Sequence, residues 1–157
     1  MVMSLYLRGI CLIWSFDLAT EVSLNKSVVR VINKHAVCPV CCLNAQRHSL
    51  GEKKLKHIKG TLMLHYSKHY CTSCRKHFVN PCIVTYCPKH VRSTWSFIRY
   101  SVEQTLKYSL DEAAKHIFRK TGNRLAIATL HDWVVRWDEL RKEAPFGFST
   151  DLEERNE

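Results

Sequence analysis

Acidic residues are scarce in the middle of this 157-residue chain, and residues 53–102 contain none. A metal-dependent nuclease needs a positioned general base and a group that stabilises the leaving oxygen. The absence of carboxylates here therefore argues against a nuclease, and we expect no enzymatic activity. The chain has nine histidines, and these keep the nuclease open as an alternative. Four of them are clustered in sequence, at His65, His69, His77 and His90.

Long apolar runs are also lacking. Residues 10–16 are apolar but are followed at once by Asp17, whereas a membrane span needs about 20 apolar residues. A secretory signal would need a basic start, a longer apolar core and a small-residue cleavage site. We therefore predict no membrane contact and a cytoplasmic, reducing location. In that setting the eight cysteines are expected to be thiols rather than disulfides.

The formal net charge of +10 is unevenly distributed. Residues 37–102 contain eleven Lys and Arg residues and one acidic residue. Residues 103–157 contain nine Lys and Arg residues and eleven acidic residues. An excess of positive charge confined to one region favours a polyanionic partner, here double-stranded DNA. The alternative is a solvated basic surface with no partner.

Two C-x-x-C pairs are the strongest motif. Cys38 and Cys41 form the first pair, and Cys71 and Cys74 form the second. Zn²⁺ takes four soft ligands in a tetrahedron, so two such pairs can supply one structural site. The spacing therefore predicts a four-cysteine zinc centre whose role is structural. Cys42 directly follows the first pair and is interpreted as a bystander.

A second group of metal-ligating residues follows the motif, at Cys82, Cys87 and His90. His77, His69 or Cys42 could complete a second metal site with them. The spacing is not typical of a zinc site, and cysteine is often simply a small buried apolar residue. Whether these residues bind a second metal stays open at this point.

The cysteine pairs are flanked by β-prone segments. Residues 28–32 predict a strand before the first pair, and residues 61–70 predict a strand before the second. The link over residues 43–60 is polar and basic, so part of it is expected to project as a loop punctuated by Gly51 and Gly60. The basic residues expected to bind phosphate here are Lys53, Lys54, Lys56, Lys59, Arg75 and Lys76.

Helical periodicity begins at Ser93. An apolar face is predicted for the first helix from Trp95, Ile98, Val102 and Leu106. Ser109 is an acceptable N-cap for a helix over residues 110–118, with Asp111 and Glu112 in its first turn. Residues 121–123 break that helix, and residues 128–137 form another. Its apolar stripe is predicted to be Leu130, Trp133, Val134 and Trp137.

Two helices joined by a short turn that contains glycine have the helix-turn-helix layout. In that motif the second helix enters the major groove with its N-terminal residues at the base edges. The residues expected at the bases are Thr129, His131, Asp132 and Arg136, with Arg124 and Lys120 near phosphates. The alternative is an ordinary αα-hairpin whose apolar stripe is only core.

The predicted class is therefore α+β, a small four-cysteine zinc ribbon followed by an all-α helix-turn-helix module. Residues 1–36 form an N-terminal extension with an alternative start at Met3, and residues 37–92 form the ribbon with its basic loop. Residues 93–143 form the helical module, and residues 144–157 form an acidic tail that we expect to be exposed or partly disordered.

This order of parts resembles the DNA-binding front end of insertion-sequence transposases of bacteria and archaea, in which a zinc ribbon precedes a helix-turn-helix. The matching segments are residues 38–41, 70–78, 109–114 and 129–134, and the resemblance covers roughly residues 37–140. It implies zinc as cofactor and double-stranded DNA as partner. It also implies a separate catalytic transposase subunit, or a homodimer, as a protein partner.

The chain departs from that pattern in two places. Ala126 and Ala128 stand where the family usually has a Ser or Thr cap for the recognition helix. About 17 residues follow the second helix, fewer than an RNase H-like catalytic domain needs. The resemblance then implies recognition of element ends without strand transfer. A small transcriptional regulator and a protein-interaction zinc-ribbon adaptor with a helical dimer interface are the alternatives.

Overall fold

The structure, a computed structural model, describes residues 6–7, 10–11 and 28–144, with side chains from residue 28 onward. Within these residues the chain has a five-stranded sheet, a separate two-stranded pairing and four α-helices. The predicted α+β class is therefore confirmed. The chain divides into two compact units. Unit 1 contains the chain up to Lys53 and Met63–Ile83, and unit 2 contains Lys54–Leu62 and the chain from Val84 onward.

The strands, in chain order, are β1 Tyr6–Leu7, β2 Ile10–Cys11, β3 Val28–Val31, β4 His35–Val37, β5 Asn44–His57, β6 Gly60–Cys71 and β7 Lys76–Val79. A 3₁₀ helix covers Pro81–Thr85. The helices are α1 Trp95–Thr105, α2 Leu110–Thr121, α3 Ile127–Val135 and α4 Trp137–Glu143. The predicted strands over residues 28–32 and 61–70 are confirmed as β3 and β6.

The sheet of unit 1 has the order β3-β6-β5-β4, and β7 also pairs with β6. β3 is parallel to β6, whereas β4 and β7 are antiparallel to their partners. Val29 and Val31 of β3 are buried, as its β-branched sequence suggests. The buried Asn80 side chain donates to the Val31 carbonyl (3.3 Å) and to Ser67 Oγ (3.0 Å). These bonds tie the residue after β7 to the end of β3 and to β6.

The prediction of a projecting basic loop over residues 43–60 is wrong. These residues form β5 and a two-residue turn at Ile58 and Lys59, so the link is one arm of a long hairpin with β6. Lysine and glycine disfavour strands, but pairing with β6 and β4 outweighs that preference. Gly60 does mark the turn, with φ of 111°, whereas Gly51 lies inside β5.

The core of unit 2 is formed where α1, α2 and α3 pack against one another. Its buried apolar side chains are Trp95, Phe97, Ile98, Val102, Ala113, Ile117, Leu125, Leu130, Trp133 and Leu140. Phe97 and Trp133 meet edge to face, with ring centroids 6.3 Å apart, an arrangement that aromatic pairs favour.

The helix ends follow their capping residues. Thr94 Oγ1 accepts a hydrogen bond from the Phe97 amide at the start of α1. The predicted cap at Ser109 is confirmed, because its hydroxyl accepts from the Glu112 amide. The C-cap of α2 is Gly122, whose φ of 73° is the left-handed conformation that glycine adopts freely. The N-cap of α3 is Ala126, which makes no side-chain cap bond.

Two predicted apolar stripes are partly wrong. Leu106 is 76% exposed because α1 ends one residue before it. The predicted helix over residues 128–137 is two helices, since α3 ends at Val135 and Trp137 begins α4. Arg136 separates them with φ −95° and ψ 12°. Of the stripe, Leu130 and Trp133 are buried, whereas Val134 is 37% exposed.

The tip of the long hairpin belongs to unit 2 and is bonded on two sides. Lys56 exchanges backbone hydrogen bonds of 3.0 Å with Arg92 and Thr94, just before α1. The Asn123 side chain, in the turn between α2 and α3, donates to the carbonyls of His57 (3.0 Å) and Gly60 (2.7 Å). The tip is therefore fixed to the α2–α3 turn.

The expectations for the chain ends fall mostly outside the described residues. Of the N-terminal extension, β1, β2 and residues 28–36 are described, and of the tail only Ala144 is. Among the described helices, none combines the length and the apolar character that a bilayer crossing requires.

Candidate functional site

The four cysteines of the C-x-x-C pairs lie in two turns of the same local geometry. Cys38 and Cys41 lie between β4 and β5, and Cys71 and Cys74 lie where β6 turns into β7. In the first turn the Cys42 amide donates to the Cys38 carbonyl (3.0 Å). The residue after each second cysteine is left-handed, with φ of 58° at Cys42 and 55° at Arg75. Each turn therefore brings its two sulfurs to one side.

The four sulfurs converge on one point and could hold a metal ion. All four Sγ atoms lie within 4.8 Å of one another. The Cys38–Cys74 sulfur distance is 4.0 Å and the Cys41–Cys71 distance is 3.4 Å. Metal–sulfur bonds of about 2.3 Å in a tetrahedron separate the sulfurs by about 3.8 Å, so the group matches that size.

The protonation of the cluster also fits a cation. The hydrogen bond to the Cys74 thiol lowers the pKa of Cys41 to about 7, whereas the same contact with Cys41 raises the pKa of Cys74 to about 12. A first proton therefore leaves easily, whereas hydrogen bonding to Cys41, together with burial, holds the proton of Cys74. A bound dication would supply the charge that keeps all four as thiolates.

The four-cysteine cluster is surrounded by a small group of packed side chains. Cys38, Cys71 and Ala45 are buried together, with Phe78 packed against them. His69 is fully buried and stacks on Phe78, with centroids 5.6 Å apart and an interplanar angle of 23°. Its Nε2 lies 2.8 Å from Ser67 Oγ, and burial lowers the pKa of His69. Neutral His69 thus joins the buried network of Ser67 and Asn80.

The residues considered for a second metal site do not converge. Among residues 28–144, the four cysteines above are the only cluster of three or more His, Cys, Asp or Glu side chains at metal-binding distances. Cys87 is fully buried, and burial raises the pKa of the Cys82 thiol. His90 has φ of 65°, so it shapes a turn.

The left-handed conformation of Arg75 leads to a prediction about stability that can be tested separately from the effect of its charge. An L-residue in this conformation costs about 1–2 kcal/mol, and glycine avoids most of that strain. We expect Arg75→Gly to raise the free energy of unfolding of unit 1 by about 0.5–1 kcal/mol. Arg75→Ala is the matched control, because it removes the same charge and keeps the strain. Urea unfolding of the metal-loaded proteins measures the difference, and equal stabilities for both variants would contradict this explanation.

The structure distributes the predicted DNA-binding residues over both units. Lys53, Arg75 and Lys76 belong to unit 1. Unit 2 contains Lys54, Lys56, Lys59, Arg124, Thr129, His131 and Arg136. All ten are exposed except Lys53 and Lys56, which are half-buried. The Lys56 ammonium donates to the Arg124 carbonyl, so its position is fixed by the α2–α3 turn.

Arg136 differs from the other candidates because acids surround it. Its guanidinium lies 3.5 Å from the Asp132 carboxylate and 3.4 Å from that of Glu139. Thr129 and His131 lie on α3 itself and are exposed. The sequence did not predict the role of Asn123, whose side chain joins the hairpin tip to the α2–α3 turn. No local pattern marks an asparagine whose partners are carbonyls more than sixty residues away.

The chain was also compared with protein-family models, with curated proteins and with solved structures. None of these comparisons finds a match. The function is therefore argued from the site itself.

Proposed function

We propose that this chain is a zinc-dependent, non-catalytic protein that binds double-stranded DNA, with α2 and α3 as a helix-turn-helix and unit 1 as a zinc ribbon. The observation that carries the proposal is the exposure of α3. Only Leu130 and Trp133 of its nine residues are buried. A helix held by two side chains leaves most of its surface available to a groove.

The position of the exposed surface supports this use of α3. In a helix-turn-helix the N-terminal half of the second helix contacts the base edges. Here Thr129 and His131 are exposed in that half, and α2 supplies the buried residues Ala113 and Ile117 of the supporting core. An ordinary αα-hairpin that serves only as core would bury a broader stripe of its second helix.

Basic residues of unit 2 supply the phosphate contacts in this proposal. Lys54 and Lys59 belong to the hairpin tip, and Arg124 belongs to the α2–α3 turn. Asn123 of the same turn holds the tip through its hydrogen bond to the Gly60 carbonyl. The side chains of all three basic residues are exposed. Arg136 contributes less, because Asp132 and Glu139 compensate its charge. We therefore assign phosphate binding first to Lys54, Lys59 and Arg124.

Zinc is the metal that the donor set favours. Four thiolates with two-residue spacers suit Zn²⁺, which takes soft ligands in a tetrahedron. Because all four donors are protein sulfurs, a metal held by them has no open position for a substrate. The ion would supply folding energy to unit 1. This role supports a binding protein over a nuclease.

The biological setting follows from the resemblance to transposase front ends. Recognition of element DNA, with a separate catalytic transposase subunit or a second copy of the chain as partner, is the reading that the resemblance favours. A small transcriptional regulator would use the same surfaces. Terminal inverted repeats, or an adjacent frame that encodes a catalytic domain, would distinguish these two settings.

A protein-interaction adaptor is the second candidate function, because unit 2 also exposes apolar side chains. Val135 is 68% exposed and Ile127 is 45% exposed, both on α3. Such side chains mark an interaction site where they form a contiguous apolar patch. An adaptor would not bind random duplex DNA, so a gel shift separates the two candidates.

A charge-reversal pair tests the DNA surface. We expect Arg124→Glu to weaken binding to a random duplex on the order of ten-fold, because it replaces a phosphate contact by repulsion. Lys142→Glu is the matched control, since it makes the same charge change on α4, beside Asp138 and Glu139. Fluorescence anisotropy at one fixed salt concentration measures both. Equal losses in the two variants would mean that only net charge matters, and the assigned surface would be wrong.

A further inference from the structure

Three rings cluster on the sheet of unit 1, and all three belong to residues of that unit. The His77 ring lies 4.7 Å from that of Tyr70 and 4.9 Å from that of His48, measured between centroids. The His48 and Tyr70 centroids are 6.5 Å apart. His48 and His77 are exposed and Tyr70 is half-buried. We call these three residues the ring cluster.

The strands determine which other side chains share its face. Tyr70 pairs with His77 across β6 and β7. Because alternate residues of a strand point to the same side, Tyr66 and Lys68 of β6 lie on the face of Tyr70. Gly51 lies beneath them, since a Cβ there would stand 2.8 Å from both the Tyr66 ring and Lys68 Cε. The face is therefore a row of rings with an exposed lysine in it.

The charge of unit 1 suits a polyanion. Its described residues include seven Lys and Arg and one acid, Glu52. Arg75 is two residues from His77 along the chain, and Lys68 is two residues from Tyr70. Both are exposed. A ligand on the ring cluster would thus find cations near it for its phosphates.

We propose that the ring cluster is a binding platform for single-stranded DNA. Exposed rings beside cations bind unpaired bases by stacking, while the cations hold the backbone. Duplex DNA does not offer the faces of its bases, so this site is distinct from the duplex surface of α3. The choice of DNA over RNA rests on the proposed function of unit 2. The site would hold a DNA strand whose bases are unpaired.

The test uses the full, metal-loaded chain and labelled oligomers of about 12 nucleotides, within the range that such surfaces cover. The probes are oligothymidine, oligouridine and a random duplex. We expect His48→Ala/His77→Ala to weaken oligothymidine binding by about five-fold or more, the effect of losing one stacked base. The affinity for the duplex should change by less than about two-fold, because the duplex is not expected to touch the ring cluster.

His35→Ala is the matched control, because His35 is exposed on β4 of the same sheet but outside the ring cluster. It should leave oligothymidine binding unchanged. If the double variant loses its metal, His48→Ala alone decides the point, and His77→Phe should retain binding because it keeps a ring. The proposal is overturned if oligothymidine does not bind, if the His48 variants bind it as tightly as the original chain, or if oligouridine binds more tightly.

Failure of this proposal is distinguishable from failure of the proposed function. Arg124→Glu should weaken duplex binding and leave oligothymidine binding unchanged. Duplex binding without oligothymidine binding would overturn the ring cluster alone. Oligothymidine binding without duplex binding would overturn the role of α3 alone.

Discussion

Cys71→Ser is expected to release the metal and to unfold most of unit 1. Around the sulfurs the buried residues are Cys38, Cys71 and Ala45. Elsewhere in the described part of unit 1 the buried apolar side chains are Val29, Val31 and Leu64, which is a small core for a whole unit. Structural zinc contributes about 10–16 kcal/mol in small domains, more than most domains have in net stability. The loss of one of four thiolates therefore removes the main stabilising term of this unit.

The metal content of the purified protein and its amide hydrogen exchange measure this result. The original chain should contain one ion, and the amides of β6 and β7 should exchange slowly. The Cys71→Ser protein should lack the ion, and the same amides should exchange rapidly. Cys82→Ser is the matched control, because Cys82 lies outside the four-sulfur group. A Cys71→Ser protein that keeps one metal per chain and the same protection would contradict the assignment of the site.

Trp133→Ala is expected to lower the free energy of unfolding of unit 2 by about 3–5 kcal/mol, the range for deleting a buried Trp or Phe side chain. Trp133 is 4% exposed and meets Phe97 edge to face. Only Leu130 accompanies it in holding α3 to the core. We therefore also expect α3 to lose its position, and duplex affinity to fall with it.

Urea unfolding followed by helical circular dichroism measures this change. Val135→Ala is the control on the same helix, since Val135 is 68% exposed and its truncation should change stability by less than about 0.5 kcal/mol. If Trp133→Ala behaved like the control, α3 would not be anchored as described.

The sequence predicted the four-cysteine cluster because each C-x-x-C pair is a local motif. A two-residue spacer is enough to place Cys38 beside Cys41 and Cys71 beside Cys74, and soft sulfur ligands favour an ion such as Zn²⁺. The cap at Ser109 was predictable for the same reason. Within each pair and at this cap the deciding contacts lie within a few residues along the chain, whereas the two pairs meet through contacts between residues that are 30 and 36 positions apart in sequence.

What the sequence could not predict depends on distant partners. β5 resembles a loop by composition, and it is a strand because β6 and β4 pair with it on both sides. Asn123 finds its acceptors at His57 and Gly60, and no periodicity marks such a bond. The left-handed residues at Cys42 and Arg75 were also hidden, because the sequence has no glycine there.

The central claim is that the metal-loaded chain binds duplex DNA through cations of unit 2, and the salt dependence of that binding tests it most directly. Each neutralised phosphate releases counterions, so log K falls with log salt by about 0.9 per contact. With contacts from Lys54, Lys59 and Arg124, we expect a slope of about −3 or steeper for a random duplex. A slope near zero, or no binding at low salt, would contradict the account.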